Sequence, residues 1–248
     1  MEPIYRQNFL VDDLAVDCFG YLKPSMLLYY LQEVAGSHFS LLEDKHDPIA
    51  AKNLFWAVSR HRVQISRLPR LGQTVTVETW PMPTTRVAYP RAMAMYDSDG
   101  NVLARSISLW VLMDTQSRTM VLPGKSGVLV NGTQRGNELE VPKSLIPREL
   151  SGQCSRTVTY SLLDVNGHMN NTRYMDWVDD LLPAAFHADH RAAEFTICYL
   201  SEAREGQQIR LNWGLSEDGV LQVDAHRQQA DICEKPERVF TAQVLFSH

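Results

Sequence analysis

The chain has 248 residues, of which 44% are hydrophobic, so it can form one large folded domain or two modest ones, and we do not expect disorder. Its formal charge is -5, from 24 basic and 29 acidic side chains. A dedicated nucleic-acid-binding protein is normally basic, so this charge argues against a nucleic-acid partner.

The sequence also argues against export and against a membrane span. The N-terminal residues lack a basic stretch followed by an apolar one, and no segment approaches the roughly 18 apolar residues that a spanning helix needs. Four widely spaced cysteines without a Cys-x-x-Cys pair indicate neither a disulfide framework nor a zinc site. We therefore expect a cytoplasmic protein without membrane contact, bound metal or cofactor.

The first predicted element is a long helix from Pro24 to Leu42. Apolar residues recur there at the spacing of a helix that buries one face, and Pro24 stands in the first turn, where its missing N–H costs least. From Trp56 to Met113 the pattern changes to the alternation typical of β-strands. The first half is therefore predicted to be one helix followed by several strands.

A connection rich in glycine and proline follows the first half and has no sustained periodicity. Beyond it the order recurs: a short strand around Thr157–Ser161, a helix that extends from Tyr174 to Leu182, and alternating stretches between Phe195 and Phe246. We therefore predict an N-terminal domain at residues 1–123, a linker at 124–150 and a C-terminal domain at 151–248.

Two short matches support a tandem duplication. The segment 17–22 resembles the segment 164–169, and the segment 70–73 resembles 204–207. The second match has the smaller offset, which predicts a shorter helical region in the second copy. Each copy is expected to be an α+β unit in which an antiparallel sheet wraps around one long helix.

The densest group of polar residues lies just before the second predicted helix, from Asp164 to Asn171. Asp164, Asn166 and His168 alternate, so in an extended segment their side chains would share one face. Asn170 or Asn171 is a natural N-cap, and the amides of the helix turn behind it favour negative charge, such as a developing oxyanion. The ordinary alternative is that these residues only make turn and cap hydrogen bonds.

Three polar residues of the second copy correspond to large apolar residues in the first copy. The local backbone structure, which both copies are expected to share, therefore does not require polar side chains at these positions. One of the three is a glutamate at the end of a later strand, where a carboxylate is ordinarily a solvated hairpin residue. The contrast favours one copy with a reaction centre and another with an apolar pocket. The pairs are Asn166 with Phe19, His168 with Tyr21, and Glu202 with Leu68.

With these residues, the sequence resembles the acyl-acyl carrier protein (ACP) thioesterases, the family of the plant FatA and FatB enzymes and their bacterial relatives. Residues 164–174 resemble the family's Asp-x-Asn-x-His-x-Asn-Asn-x-x-Tyr signature, its most specific element. Residues 5–9 and 30–38 look like its opening strand and first helix, and residues 199–206 are similar to the strand and turn that carry its catalytic glutamate. The resemblance covers nearly the whole chain.

The resemblance implies a tandem double hotdog fold. It also implies hydrolysis, in fatty acid biosynthesis, of the thioester that joins a fatty acyl chain to the phosphopantetheine arm of ACP. Plant members have a cysteine after the glutamate, and here that residue is Ala203, which excludes a covalent route through this position. The residues that match the family's catalytic ones are Asp164, Asn166, His168 and Glu202.

We therefore hypothesise an attack by water. Glu202, helped by His168, is the general base in this scheme. Asn166 and the helix N-terminal amides hold the thioester oxygen as it becomes an oxyanion. Asp164 orients Asn166 and His168.

The first copy is expected to supply the acyl pocket, although most apolar residues of a helix are ordinary core. Cys198 lies in an apolar strand and is expected to be structural. The pocket candidates on the predicted helix and strands are Met26, Leu27, Tyr30, Leu31, Val34, Trp56, Val58 and Leu68.

The expected partner is ACP carrying the acyl substrate, and the acyl carrier proteins are acidic as a family. Six arginines between Arg60 and Arg91 stand against one acid, Glu78, so this stretch is a candidate docking patch, with scattered solvated arginines as the alternative. Two other functions stay open, namely an acyl-CoA thioesterase and a non-catalytic acyl-binding hotdog protein. Exposed sheet edges are compatible with a homodimer.

Overall fold

A computed structural model describes residues 4–42, 49–228 and 236–247. The chain divides into two compact units, Met1–Pro142 and Lys143–His248. This division falls inside the segment 124–150, for which the sequence predicts a connection. None of the helices in the described ranges combines the length and the apolar character needed to cross a membrane.

The first unit contains an antiparallel sheet and one long helix. Its strands are β1 (Tyr5–Leu10), β2 (Leu54–Ile65), β3 (Thr74–Pro81), β4 (Tyr89–Tyr96), β5 (Val102–Asp114) and β6 (Met120–Val121), and its helices are α1 (Pro24–Leu42) and α2 (Pro123–Ser126). Along the sheet the order is β1-β3-β4-β5-β2, and the short β6 pairs with β5. The alternating segments predicted between Trp56 and Met113 are thus strands of one sheet.

Helix α1 begins at Pro24, and its bounds are those that the sequence predicts. It contacts β1 and β3 of the same unit. Leu27, Leu31 and Val34 are almost fully buried, whereas Tyr29 is exposed. The helix therefore buries a single apolar face against the sheet, as its spacing indicates.

The opposite face of the first sheet is covered by the irregular segment that follows α2. Trp80, Ala92 and Ala94 form an apolar cluster there, against which Leu139 packs. Trp80 Nε1 donates a hydrogen bond of 3.0 Å to Glu138 Oε1. Because both faces are covered, β4 is buried along nearly its whole length.

The face of the first sheet that α1 covers also carries buried polar side chains, of which hydrophobic alternation gave no sign. Arg91 Nη1 donates to Thr79 Oγ1 at 3.1 Å and lies 3.2 Å from Nδ1 of His38 on α1. On neighbouring strands, His61 Nε2 and Ser106 Oγ lie 2.5 Å apart. Burial lowers the pKa of Arg91 to about 10 and that of His61 to about 3, so His61 is neutral at neutral pH.

The second unit repeats the sheet of the first. Its strands are β7 (Gly152–Thr157), β8 (Arg191–Tyr199), β9 (Gln208–Leu215), β10 (Val220–Arg227) and β11 (Arg238–Ser247), and its helices are α3 (Arg173–Asp179) and α4 (Ala184–Asp189). The order β7-β9-β10-β11-β8 matches β1-β3-β4-β5-β2 strand by strand, and all neighbours are antiparallel. This correspondence is what a tandem duplication predicts.

The prediction of one long helix in the second unit is wrong. The helical region consists of two short helices, because α3 ends at Asp179 and α4 begins after Pro183. A proline has no N–H to bond to the preceding turn, and it disfavours the helical conformation at the residue before it, here Leu182. Both helices still pack on the sheet, α3 through Tyr174 and α4 through Phe186.

We predict that the free energy of unfolding falls as the pH is lowered from 6.5 towards 3, because the unfolded chain binds a proton at His61 that the folded chain does not bind. At pH 3 this loss amounts to about 4 to 5 kcal/mol. His61→Gln does not titrate and should lose less stability on acidification. Urea denaturation of both proteins at pH 7, 5 and 4 measures the difference, and identical pH dependence would contradict the prediction.

Candidate active site

The segment that contains three of the candidate residues is a tight turn. Asp164 N–H donates to the His168 carbonyl at 2.8 Å, and Gly167 N–H donates to the Asp164 carbonyl at 3.0 Å. Gly167 has a φ of +74°, which a residue with a side chain adopts only with strain. The predicted extended segment is therefore wrong, since the chain reverses at the positions that were expected to share one face.

Asp164 acts on its neighbours through their backbone. Its Oδ1 accepts hydrogen bonds from Asn166 N–H at 2.8 Å and from His168 N–H at 3.3 Å. An aspartate that accepts from the backbone two residues further on forms an Asx turn. Asp164 thus has the ordinary role of a turn residue. By binding the backbone N–H groups of Asn166 and His168, it fixes the backbone positions from which their side chains extend.

The first unit contains the same turn. Asp17 Oδ1 accepts from Phe19 N–H at 2.9 Å and from Tyr21 N–H at 3.0 Å, and Gly20 has a φ of +77°. The backbone geometry is therefore shared, whereas the amide and the imidazole occur only in the second unit.

A second pair of matched turns follows β2 and β8. In the first unit, Arg70 N–H donates to Gln73 Oε1 at 2.7 Å. In the second unit, Arg204 N–H donates to Gln207 Oε1 at 2.9 Å. Each short sequence match thus marks a pair of turns that share one cap, an aspartate in the first pair and a glutamine in the second. The predicted duplication therefore extends to individual hydrogen bonds.

A corresponding backbone hydrogen bond joins the two turns in each unit. In the first unit Leu22 N–H donates to the Pro69 carbonyl at 2.8 Å, and in the second Met169 N–H donates to the Ala203 carbonyl at 2.8 Å. The residue before Ala203 is Glu202, which is thereby brought beside the first turn of its own unit.

His168 and Glu202 are in contact. His168 Nε2 lies 3.1 Å from Glu202 Oε2, and the two side chains are 16% and 39% exposed, so a small molecule can reach the pair. Arg204 Nη2 lies 3.9 Å from the same carboxylate oxygen. Asn166 is exposed at the tip of the turn. Among the described residues, no group of three or more His, Cys, Asp or Glu side chains is suited to hold a metal ion.

Two residues outside the predicted catalytic set, Tyr174 and Arg227, also adjoin Glu202. Burial raises the pKa of Tyr174, and the backbone of Ala203 opposes this rise, so the hydroxyl stays protonated at neutral pH. Arg227 Nη2 donates a hydrogen bond to the backbone carbonyl of Glu202. Tyr174 belongs to the sequence signature, but hydrophobic spacing marks it only as a buried helix residue. Arg227 has no local signal, because it lies on another strand.

The cap of α3 differs from the prediction that Asn170 or Asn171 is the N-cap. The N-cap is Thr172, and its side chain makes no capping hydrogen bond. Asn170 Oδ1 instead accepts from Thr172 N–H at 3.0 Å and from Thr172 Oγ1 at 2.8 Å. Asn170 therefore caps the turn that leads into the helix, which shifts the helix start towards the C-terminus.

The candidate pocket residues lie in three places of the first unit. Trp56 and Val58 are on β2, where Trp56 packs edge-on against Tyr89 and Phe39. Leu68 is buried but lies in the loop after β2, so its predicted placement on a strand is wrong. The five candidates on α1, of which only Met26 is partly exposed, are Met26, Leu27, Tyr30, Leu31 and Val34.

The six arginines of the basic stretch do not form one patch. Arg91 is buried beneath α1, and Arg60 donates to the Pro142 carbonyl at 3.1 Å. Arg67 pairs with Asp97 at 2.6 Å. The stretch is therefore closer to the alternative of scattered arginines than to a single patch, with the difference that Arg91 is buried and not solvated.

Both units match known family profiles. The acyl-ACP thioesterase N-terminal domain matches residues 2–122, and the acyl-ACP thioesterase C-terminal domain matches residues 149–238. The chloroplastic dodecanoyl-ACP hydrolase of Umbellularia californica is 29% identical over 237 residues, which cover 88% of this chain and 62% of that protein. The chloroplastic palmitoyl-ACP thioesterase of Gossypium hirsutum is 26% identical over 225 residues, covering 80% and 52%. This chain thus spans 52% to 62% of the length of these curated relatives.

Solved structures share the fold over the whole chain. An acyl-ACP thioesterase from Bacteroides thetaiotaomicron superposes with a TM-score of 0.84, covering 99% of this chain and 98% of its own, at 22% identity. The 12:0-ACP thioesterase from Umbellularia californica superposes with a TM-score of 0.81, covering 100% and 98%, also at 22% identity. The tandem double hotdog fold that the sequence resemblance implies is confirmed.

The matched turns allow a paired prediction about stability. Asp17→Ala and Asp164→Ala each remove a carboxylate that accepts two backbone N–H groups, so each should lower the free energy of unfolding by about 1 to 2 kcal/mol. Urea denaturation measures both losses. A loss for one variant with none for the other would contradict the structural equivalence of the turns.

Proposed function

The chain belongs to the acyl-ACP thioesterase family, and from that premise we propose that it hydrolyses fatty acyl-ACP thioesters to free fatty acid and ACP. The observation that carries the proposal is the contact of 3.1 Å between His168 Nε2 and Glu202 Oε2. In the first unit, the same pair of turns holds Tyr21 and Leu68 instead. The pair is therefore not required by the fold, and a water-activating role accounts for it.

In the proposed reaction, a water molecule beside His168 and Glu202 attacks the carbonyl carbon of the thioester. The Glu202 carboxylate, helped by the His168 imidazole, takes a proton from this water. The tetrahedral intermediate then collapses, the C–S bond breaks, and the proton passes to the leaving sulfur of the phosphopantetheine arm. The products are a fatty acid and a carrier with a free thiol.

We assign the stabilisation of the oxyanion to Asn166. Asn166 stands at the exposed tip of the turn that also carries His168, and in this scheme its amide binds the oxygen of a thioester that meets His168. Asp164 supports this role by holding the backbone N–H groups of both residues. The α3 helix begins only at Arg173, beyond the turn that carries Asn166 and His168, so the amide of Asn166 is the main donor in this scheme.

The division of labour between the units is part of the proposal. The second unit, with His168 and Glu202, is the catalytic half, and the first unit holds the acyl chain. The buried apolar face of α1 supports this assignment. Polar side chains such as Arg91 under the same helix would interrupt an apolar path, which gives a physical limit to chain length.

ACP is the proposed partner, and the names of the curated relatives as acyl-ACP hydrolases and thioesterases support it. We place the reaction in the cytoplasm, a reducing compartment, which agrees with the free cysteines Cys18, Cys154 and Cys198 among the described residues. The absence of membrane contact stays a prediction. A homodimer stays a prediction that light scattering of the purified protein tests.

The central test replaces the proposed base and the proposed oxyanion donor. Glu202→Ala should lower turnover of an acyl-ACP thioester by a factor of about 10² to 10⁴, and Asn166→Ala by about 10² to 10³. Release of free fatty acid is the measured quantity. Phe19→Ala is the matched control, because Phe19 occupies the position of Asn166 in the first unit, and it should stay within about threefold of the parent protein.

Near-normal turnover in folded Glu202→Ala and Asn166→Ala would overturn the assignment. The same assay with a matched acyl-CoA substrate separates the carriers, since faster hydrolysis of acyl-CoA would make the protein an acyl-CoA thioesterase. No fatty acid release from either substrate by the parent protein would favour the non-catalytic acyl-binding alternative.

Cys198→Ser should retain turnover. Cys198 is buried on β8, where its Sγ faces the Lys143 carbonyl at 3.9 Å, so it is a packing residue. The residue after Glu202 is Ala203, so no thiol adjoins the proposed base along the chain. A loss of turnover beyond about tenfold in a folded variant would contradict a structural role for Cys198.

A further inference from the structure

Arg227 connects the end of β10 to the backbone of Glu202. Its Nη2 donates to the Glu202 carbonyl, and its Nη1 pairs with Glu237 Oε2. Arg227 N–H also donates to the Glu237 carbonyl at 2.8 Å, so the guanidinium starts from a fixed backbone position. The side chain is 24% exposed, which reduces competition from water for these bonds.

Arg227 binds the backbone of Glu202 and not its carboxylate. The charge of Arg227 is matched by Glu237, and its contact with Glu202 is to the backbone. The Glu202 carboxylate instead lies 3.1 Å from His168 Nε2. A cation of this geometry that lacked its own anion would attract the carboxylate and compete with the imidazole.

The backbone around Glu202 is therefore held on both sides. Arg227 binds the Glu202 carbonyl, and Met169 N–H binds the next carbonyl, that of Ala203, at 2.8 Å. Hydrogen bonds to two successive carbonyls restrict the backbone here, so the carboxylate of Glu202 moves mainly through its side-chain torsions. The position of its carboxylate relative to His168 thus depends on both hydrogen bonds.

The first unit has a corresponding tie with different chemistry. The pairing of β3 with β4 matches that of β9 with β10, so Tyr96 takes the place of His226 and Asp97 that of Arg227. Asp97 Oδ2 pairs with Arg67 Nη2 at 2.6 Å, and Arg67 directly precedes the residue that corresponds to Glu202. Both units thus tie this strand to the same segment, but only the second does so through a backbone carbonyl.

We propose that Arg227 is a positioning residue for the reaction. It holds the Glu202 carbonyl, and Glu237 holds the guanidinium, so that the Glu202 carboxylate stays against His168. The inference rests on the proposed function, in which Glu202 is the base. Arg227 does not touch the reacting atoms in this scheme and acts only through Glu202.

The test is Arg227→Met, which keeps much of the apolar stem and removes the donors. We expect kcat for an acyl-ACP thioester to fall by about 10- to 100-fold with KM changed less than about threefold, because a displacement of about 1 Å of a catalytic group has this effect. Arg227→Lys retains the charge but cannot span the Glu202 carbonyl and Glu237 together, so its kcat should fall as well. If Arg227→Met does not fold, the measurement on Arg227→Lys tests the proposal instead.

A double-mutant cycle separates positioning from a purely structural role. In a Glu202→Ala background, Arg227→Met should lower the residual rate by less than about twofold, since the group that it positions is absent. Arg67→Met is the matched control, because it breaks the corresponding tie in the first unit, and it should leave kcat within about threefold.

The proposal is overturned if the folded Arg227 variants keep kcat within about threefold, or if Arg227→Met lowers the rate equally with and without Glu202. The second result would mean that Arg227 supports the fold as a whole. Failure of the proposed function has a different signature, because Glu202→Ala alone would then retain normal turnover.

Discussion

The candidate site depends on one backbone hydrogen bond, from Met169 N–H to the Ala203 carbonyl at 2.8 Å. The two residues directly follow His168 and Glu202, which are far apart along the chain. Each turn is made rigid by its own cap, so this bond joins two fixed pieces. What remains variable in the contact between imidazole and carboxylate is a few side-chain torsions.

The same bond occurs in the first unit, where it joins two turns without catalytic side chains. Backbone geometry was thus retained in both copies of the duplication, while the side chains on it diverged. The second copy has polar side chains at the tip of the turn and at the end of the neighbouring segment, where the first copy has Phe19, Tyr21 and Leu68. The divergent pairs are Asn166 with Phe19, His168 with Tyr21, Glu202 with Leu68, and Arg227 with Asp97.

Elements that depend on a local sequence pattern were predicted more accurately than elements that depend on competing signals. Helix α1 has the predicted bounds, because one apolar face and an initial proline are local signals. The extended segment predicted at Asp164 failed, since an Asx turn with a following glycine overrides alternation. The prediction of a long second helix failed because Pro183 interrupts the helical region. This signal is local, but the expectation that both copies contain one long helix took precedence over it.

By itself, the sequence determined the duplication, the order of helix and strands, and the presence of Asn166, His168 and Glu202 in only one copy. Only the tertiary structure decided that His168 meets Glu202, that Arg227 holds the Glu202 backbone, and that Arg91 is buried instead of forming a basic surface. The physical reason is that periodicity and turn residues act over a few positions. Contacts between distant segments depend on strand register and on which face of the sheet a side chain enters.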